Sequence, residues 1–231
     1  MLSRAPRDST HGQPGKIRSG SRECWHTGWV DHDLSPAARS VREHYAGLFT
    51  GSPIAVLGPA PGPVRELVPG LRILSWTPSQ GGRIYATVGL WDATQRDGHA
   101  LEFLLHAPEA DDEPHVELLT MVAYYQASGG DYRLGHGHTV GIGRGWLPGS
   151  ACDHLLVSLP YPWGPQLEEC AVPGGHARVL WLLPITRAEK ELALRDGLEA
   201  LEDRFEAAGV VPTDPLRACT SVPEKPGHPG C

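Results

Sequence analysis

What the sequence lacks narrows its function first. No uninterrupted apolar run approaches the ~20 residues a bilayer-spanning helix requires, and Met1-Leu2-Ser3-Arg4 opens without the apolar stretch of a secretory signal. No membrane association is therefore expected. Cysteine is scarce: Cys24, Cys152, Cys170, Cys219 and Cys231 are odd in number and none has C-x-x-C spacing. That pattern argues against a disulfide framework and for a reducing, cytoplasmic setting with buried or incidental thiols. Positive charge is also short, with 20 Lys and Arg against 27 Asp and Glu and a net charge of −7. Such a chain is a poor candidate for binding nucleic acid by neutralising phosphates, or a membrane surface through a basic face. The common catalytic signatures are missing too: no G-x-x-x-x-G-K-[ST], no G-x-S-x-G, no H-E-x-x-H and no EF-hand loop.

What is present is enough for one well-filled domain. The chain has 231 residues, 40% of them hydrophobic, with 28 Gly and 22 Pro. The Gly and Pro excess predicts many turns. Residues 1–33 carry Ser, Gly, Pro and Arg without an apolar period, and Arg4, Arg7, Lys16, Arg18 and Arg22 stand against Asp8 alone up to position 22. This composition predicts a flexible basic arm. Residues 210–231, with Pro212, Pro215, Pro223, Pro226 and Pro229, read as a Pro-rich disordered tail. The folding unit is then 34–209.

Within it, Ser35-Pro36 starts a helix, Val41, Tyr45, Leu48 and Phe49 give its apolar face, and Gly51 stops it. Leu71–Trp76 and Arg83–Leu90 read as a hairpin across the turn Thr77–Gly82. His99–His106 is a strand with Leu101, Phe103 and Leu105 on one side and Glu102, Leu104 and His106 on the other. A helix begins near Asp111-Asp112, presents Val116, Leu119, Val122, Ala123 and Tyr125, and ends at Ser128-Gly129-Gly130. Strands follow at 138–142, 153–159 and 177–183. The capping box Thr186-Arg187-Ala188-Glu189 then opens a last helix with Leu194, Leu198, Leu201, Phe205 and Ala208 on one face, closed by Gly209. The expected class is α+β, a mixed, mostly antiparallel sheet with helices packed on it.

Three features are candidates for function. His136, His138, Cys152 and His154 converge to a metal-binding cluster if the strands at 138–142 and 153–159 pair, which is the basis of an alternative reading as a metal-dependent enzyme. Strand-end histidines and an inert thiol are the competing account. Gly141-Ile142-Gly143-Arg144-Gly145 is Gly-rich but opens no helix, so it reads as a turn and not a phosphate cradle. In Ser158-Leu159-Pro160-Tyr161-Pro162-Trp163-Gly164-Pro165 the prolines stiffen a loop that offers Tyr161 and Trp163 as large faces for a protein partner, unless Trp163 tucks under the loop as core. Trp76, Trp91, Trp146 and Trp181 read as core. No pair of carboxylates has a spacing that argues for acid/base catalysis, and no cofactor is implied.

The order of blocks resembles the suppressor of fused family. The resemblance runs through Thr87-Val88-Gly89-Leu90, Ala100–Leu105, the helix Glu117–Tyr125, Gly137-His138-Thr139-Val140, His154–Pro160 and Val179–Thr186 leading into the helix at Glu189. It covers about residues 41–208. It implies a non-enzymatic, protein-binding α/β domain. Animal members sequester a transcription factor by gripping a peptide between this domain and a C-terminal one that this sequence lacks, so that role is not expected to transfer. His138, or its neighbour His136, stands where the animal proteins carry an acidic residue near the peptide-contacting strand, so His138 joins Tyr161 and Trp163 as a candidate contact. Small one-domain bacterial members resemble immunity proteins of polymorphic toxin systems, which implies a toxin as partner. An acidic inhibitor suits a basic toxin through electrostatic steering. A scaffold subunit is the remaining alternative.

Overall fold

The polypeptide path follows from caps, turns and alternating faces. In the computed structural model the described residues are 34–49, 53–79, 81–95, 100–108, 111–129 and 133–221. The basic arm at 1–33, His99 and the last residues of the Pro-rich tail lie outside them. Helix α1 (Pro36–Leu48) starts where Ser35 Oγ accepts the Ala38 N–H at 2.9 Å, and it ends at Phe49, ahead of the expected Gly51, itself outside the described residues. A short strand β1 (Ala55–Leu57) and a single turn α2 (Val64–Leu67) lead to the hairpin β2 (Arg72–Trp76) and β3 (Arg83–Val88). The hairpin is antiparallel, with Leu74 opposite Ala86.

Gly89 turns the chain from β3 into α3 (Leu90–Thr94) with φ +91°, and any Cβ there would lie 2.6 Å from the Gly70 carbonyl oxygen, so only glycine fits. Strand β4 (Leu101–Ala107) follows, then α4 (Asp112–Ala127). Asp111 sits at the N-cap of α4 without a capping hydrogen bond. Asp112 instead accepts the Tyr85 hydroxyl at 2.8 Å and pairs with Arg83 Nε at 3.2 Å, which ties the helix start to β3.

The second half contributes β5 (Thr139–Gly141), β6 (Cys152–Ser158), a one-turn α5 (Pro165–Glu168), β7 (Glu169–Val172) and the long β8 (Gly175–Thr186). Where one final helix was expected there are two, α6 (Arg187–Asp196) and α7 (Leu198–Ala207), because Gly197 between them adopts φ +98°. The capping box is formed on both sides: Thr186 Oγ1 accepts from the Glu189 N–H and Glu189 Oε2 from the Thr186 N–H. The break rotates the expected apolar stripe. Leu194 is 74% exposed and Leu192 is buried in its place, while Leu201 is buried as expected.

The sheet order is β1-β2-β3-β4-β8-β6-β5, with β7 also on β8. Only the β4–β8 contact is parallel; every other described pairing is antiparallel. The expected α+β class with a mixed, mostly antiparallel sheet is therefore present. Both faces of the sheet are covered. On one face Val41 and Tyr45 of α1, Leu192 of α6 and Leu201 of α7 pack on Leu74, Ala86, Leu104, Val179 and Ile185. On the other, Val116, Leu119, Val122 and Ala123 of α4 pack on Ile73, Phe103, Leu105, Leu155 and Leu182. Each Val, Leu, Ile or Phe side chain among them, removed from water, contributes roughly 1.5–3 kcal/mol. The alternation read into β4 is observed, with Leu101, Phe103 and Leu105 facing α4. Tyr125, expected in the α4 core face, is 44% exposed, and buried His115, Leu118 and Gln126 widen that face instead.

The first part of the expected tail is not loose. Arg217 makes a two-pronged ion pair with Glu189, Nη1–Oε1 and Nη2–Oε2 both at 2.7 Å, and also donates to the Pro184 carbonyl at 2.9 Å. Thr220 adds its N–H to Glu189 Oε1 at 3.0 Å. Residues 210–221 are thereby strapped to the domain, and the sequence reading missed it because one arginine among prolines carries no periodic signal.

Candidate partner-binding surface

The four residues of the imagined metal cluster are held apart by the sheet itself. Strands β5 and β6 do pair, but His154 lies opposite Gly141, and the His138 carbonyl accepts the Val157 N–H. The two histidines are thus offset by three residues, roughly 10 Å along the strands. A register shift between Cys152 and His154 does the rest. Cys152 packs with Leu155 and Val157 on the α4 face, whereas the residue two places after His154, Leu156, packs on the opposite face. A bulge therefore cancels the rule that residues i and i+2 point the same way. His154 Nδ1 is bound to Asp153 at 2.7 Å, and His136 lies close enough to the Glu202 carboxylate to act on its charge. Among the described residues no group of three or more His, Cys, Asp or Glu side chains is placed to hold a metal ion. Burial pushes the Cys152 thiol up and the Cys170 thiol up to about 11, so neither is a ready nucleophile or ligand.

The Pro-rich loop divides its two aromatics between opposite tasks. Pro160, Pro162 and Pro165 hold a single 3-10 turn over Tyr161–Trp163, closed by the Trp163 N–H on the Pro160 carbonyl at 3.0 Å. Trp163 turns inward. Its ring meets Phe49, His106 and Trp181 edge-on, with centroids 5.9, 5.7 and 5.6 Å away. It is half-buried and packs as local core. Tyr161 turns outward and is 56% exposed. His138 is exposed and directly precedes β5, the last strand in the sheet order.

Beside Tyr161 runs a groove of about 550 Å³. Its floor is Leu156, Trp181 and Leu183 of β6 and β8; its far wall is α7, through Glu202, Asp203, Phe205 and Glu206, and Val210 and Pro212 close one end. The sheet supplies an apolar floor because β6 and β8 place these side chains on the face that α1, α6 and α7 share without fully covering. The wall is acidic because α7 carries Glu199, Glu202, Asp203 and Glu206 at helical spacing. Burial first, then the like charges of Asp203 and Glu199, raise the Glu202 carboxyl above its usual range, with His136 opposing. Partial burial and the Glu202 and Glu168 carboxylates likewise raise the Tyr161 phenol. The acidic spacing on the last helix was the signal in the sequence that would have found this wall. The bare reading of apolar periodicity passed over it.

A second buried carboxylate has a different character. Glu102 on β4 is fully buried and accepts from Thr87 Oγ1 at 2.6 Å and from the Gly89 and Trp91 N–H groups, each at 3.0 Å. Burial lifts it from 4.5 to about 7 despite those donors. It joins β3, α3 and β4 and holds the start of α3 in place.

Similarity to known proteins agrees with this picture. A family model for suppressor of fused protein matches residues 68–218, and so includes the strap carrying Arg217. The crystal structure of a suppressor of fused homologue from Neisseria gonorrhoeae superposes with a TM-score of 0.69 at 30% identity, covering 80% of this chain and 96% of that one. A crystal structure of the Sufu–Fu complex matches at TM-score 0.56 and 14% identity, over 74% of this chain and 84% of that one. Drosophila Suppressor of Fused matches at TM-score 0.52 and 14% identity, over 75% of this chain and 47% of that one, and these two distant matches speak for the fold alone. No curated protein matches the chain. Among the described residues no helix is long and apolar enough to cross a membrane. With the family model spanning most of the domain and the Neisseria homologue matched along nearly its whole length, the chain belongs to the suppressor of fused family.

Proposed function

We propose that this chain is a non-enzymatic protein-binding domain that acts as an immunity protein, binding a toxin and blocking it by occupying its surface. The reading is supported most by one observation: an exposed Tyr161 at the rim of an apolar-floored, acidic-walled groove. Aromatic side chains on a stiff loop lose little entropy on binding and are frequent anchors. The acidic surface favours a basic partner, whose approach it would steer. That a crystal structure exists of Sufu in complex with Fu fits a family fold that presents surfaces to other proteins. Cytoplasmic action is part of the proposal, since a toxin must be met where it does damage.

The test is protection. The gene is expressed in cells carrying, one at a time, the toxin domains encoded beside it, and growth is followed. Rescue by the intact chain, with loss of rescue and of complex formation in Tyr161→Ala, is the expected result. Turnover of a small molecule by the purified chain, or no binding to any neighbouring toxin domain, would overturn it.

A further inference from the structure

The Gly-rich stretch after β5 does more than turn the chain. Gly141, Gly143, Arg144 and Gly145 line a cavity of about 430 Å³ together with Asp153, His154 and Arg187, and it shares no residue with the groove beside Tyr161. Gly141 ends β5 directly opposite His154 on β6, so the two side-chain positions share a face of the sheet. A Cβ at Gly141 would sit 3.8 Å from His154 Nε2 and 3.9 Å from Cδ2, and beyond its chain neighbours would meet nothing else within 4 Å. The absent side chain leaves open space in front of the Nε2 edge of the imidazole. His154 is only 8% exposed, and among the described residues its ring makes one hydrogen bond, from Nδ1 to Asp153 at 2.7 Å. Desolvation opposes it, but the hydrogen bond and charge of His154 and the charge of Arg187 hold the Asp153 carboxyl below its usual range. Asp153 is thus an ionised acceptor that keeps a proton on Nδ1, and Nε2 is left facing the cavity.

Two guanidiniums line the same cavity. Arg187, the first residue of α6, reaches Asp153 at 3.5 Å and stays 71% exposed, and Arg144 pairs with Glu117 of α4 at 3.0 Å and stays 53% exposed. Each contact engages one part of a guanidinium, and its remaining N–H donors are unspent among the described residues. Glu117 does not line the cavity, so Arg144 and Arg187 stand there against Asp153 alone, a positive site on a chain of net charge −7. An oxyanion completes this set. With a proton on Nε2 the imidazolium donates to it while Asp153 balances the charge behind, and the guanidiniums add charge-assisted hydrogen bonds. Donors from the loop after β5, from β6 and from the start of α6 suit the several oxygens of a tetrahedral dianion better than a flat carboxylate. No helix follows the loop, so side chains hold the anion in place of a helix N-terminus. The volume lies within the roughly 300–1,000 Å³ of small-molecule sites. We infer that this cavity binds the phosphate group of a small phosphate monoester through His154 Nε2, Arg187 and Arg144, independently of the immunity role proposed above.

The test follows the His154 ring signals in carbon–proton correlation spectra of the full chain, assigned with His154→Gln. The probes are glycerol phosphate, inorganic phosphate and acetate, titrated at fixed pH and ionic strength. A saturable shift of the His154 signals is expected with both phosphates, and at least tenfold weaker binding with acetate. Arg187→Gln, at a mostly exposed position, should weaken glycerol phosphate at least tenfold. Gly141→Val, at a strand position with room for a Cβ, fills the space before Nε2 and should abolish the response; it serves as the second variant if the first fails to fold. Arg195→Gln removes another exposed charge from the last turn of α6, outside the cavity lining, and should change nothing. His154 signals that do not move, acetate binding as well as phosphate, or an affinity indifferent to both Arg187→Gln and Gly141→Val would overturn the inference. So would an equal loss in Arg195→Gln, which would reduce the effect to general surface charge, or a response to inorganic phosphate with none to glycerol phosphate.

Discussion

Glu189 and Glu202 sit on consecutive helices thirteen residues apart, and their surroundings are opposites. Glu189 is fully buried, yet both its oxygens are satisfied, by Arg217, Thr186 and Thr220. Burial alone would raise its carboxyl, and these donors more than compensate, holding it below the usual range. Glu202 is only half-buried, but its Oε1 has no donor among the described residues and its carboxyl is raised. The first acid closes the structure on itself; the second lines the groove beside Tyr161. The two regions touch, since the Arg217 guanidinium that pairs with Glu189 also lies 5.3 Å from the Phe205 ring, which lines the groove. The strap thus supports the groove wall from behind.

The largest test of this contrast is Arg217→Ala, which leaves Glu189 buried and unpaired. It should cost ~3–5 kcal/mol of unfolding free energy in urea titrations. Replacing Arg217 and Glu189 together by Met and Leu should cost clearly less, because no charge is then stranded. If the single and double variants are equally unstable, the ion pair is not what holds the strap.

Protonation sharpens the contrast next. For Glu102, raised from 4.5 to about 7 in the fold, the contribution to stability is complete below pH ~4.5 and is lost as pH rises through ~7. The full loss is ~3 kcal/mol. Glu189 runs the other way: its folded value is depressed, so its contribution is present above ~4.5 and lost as pH falls below that. Urea midpoints across pH 3–9 should show Glu102→Gln removing the alkaline decline and the Arg217 variant flattening the acid one. An unchanged alkaline limb in Glu102→Gln would show that the burial of Glu102 is not what is felt there.

The aromatic pair gives a smaller effect and divides in the same manner. Trp163→Ala removes three edge-on ring contacts and should cost ~2–3 kcal/mol of stability, while Tyr161→Ala should leave stability within ~0.5 kcal/mol and cost ~2 kcal/mol of partner binding. Thermal melts and titration calorimetry on the same two proteins separate them. The smallest effect expected on the fold is that of Glu202→Gln, within ~0.5 kcal/mol of neutral or slightly stabilising, as it relieves repulsion from Asp203 and Glu199. Marked destabilisation there would make Glu202 a structural residue like Glu189.

Much of this was legible from residues alone, for physical reasons that act over a few positions. Ser35-Pro36 and Thr186–Glu189 announced two helix starts because caps are local hydrogen bonds. The faces of β4 could be read because a strand alternates strictly. The linked blocks that resemble suppressor of fused proteins were likewise visible without a structure, and family membership followed. Local reasoning failed where a single residue resets the period. Asp153 at the bulge put Cys152 and His154 on opposite faces and dissolved the imagined metal cluster. Gly197 split one expected helix into two and turned Leu194 out to solvent.

By itself, then, the chain's order of residues determined the caps, the strand faces, the class of fold and the family, since each depends on neighbours within a turn or two. Only the tertiary structure decided which acid is paired and which lines a groove. Arg217 reaches Glu189 across 28 positions, and the groove joins β6, the Tyr161 turn, β8, α7 and the chain beyond it. Such meetings depend on how the sheet and helices pack, and no local spacing records them.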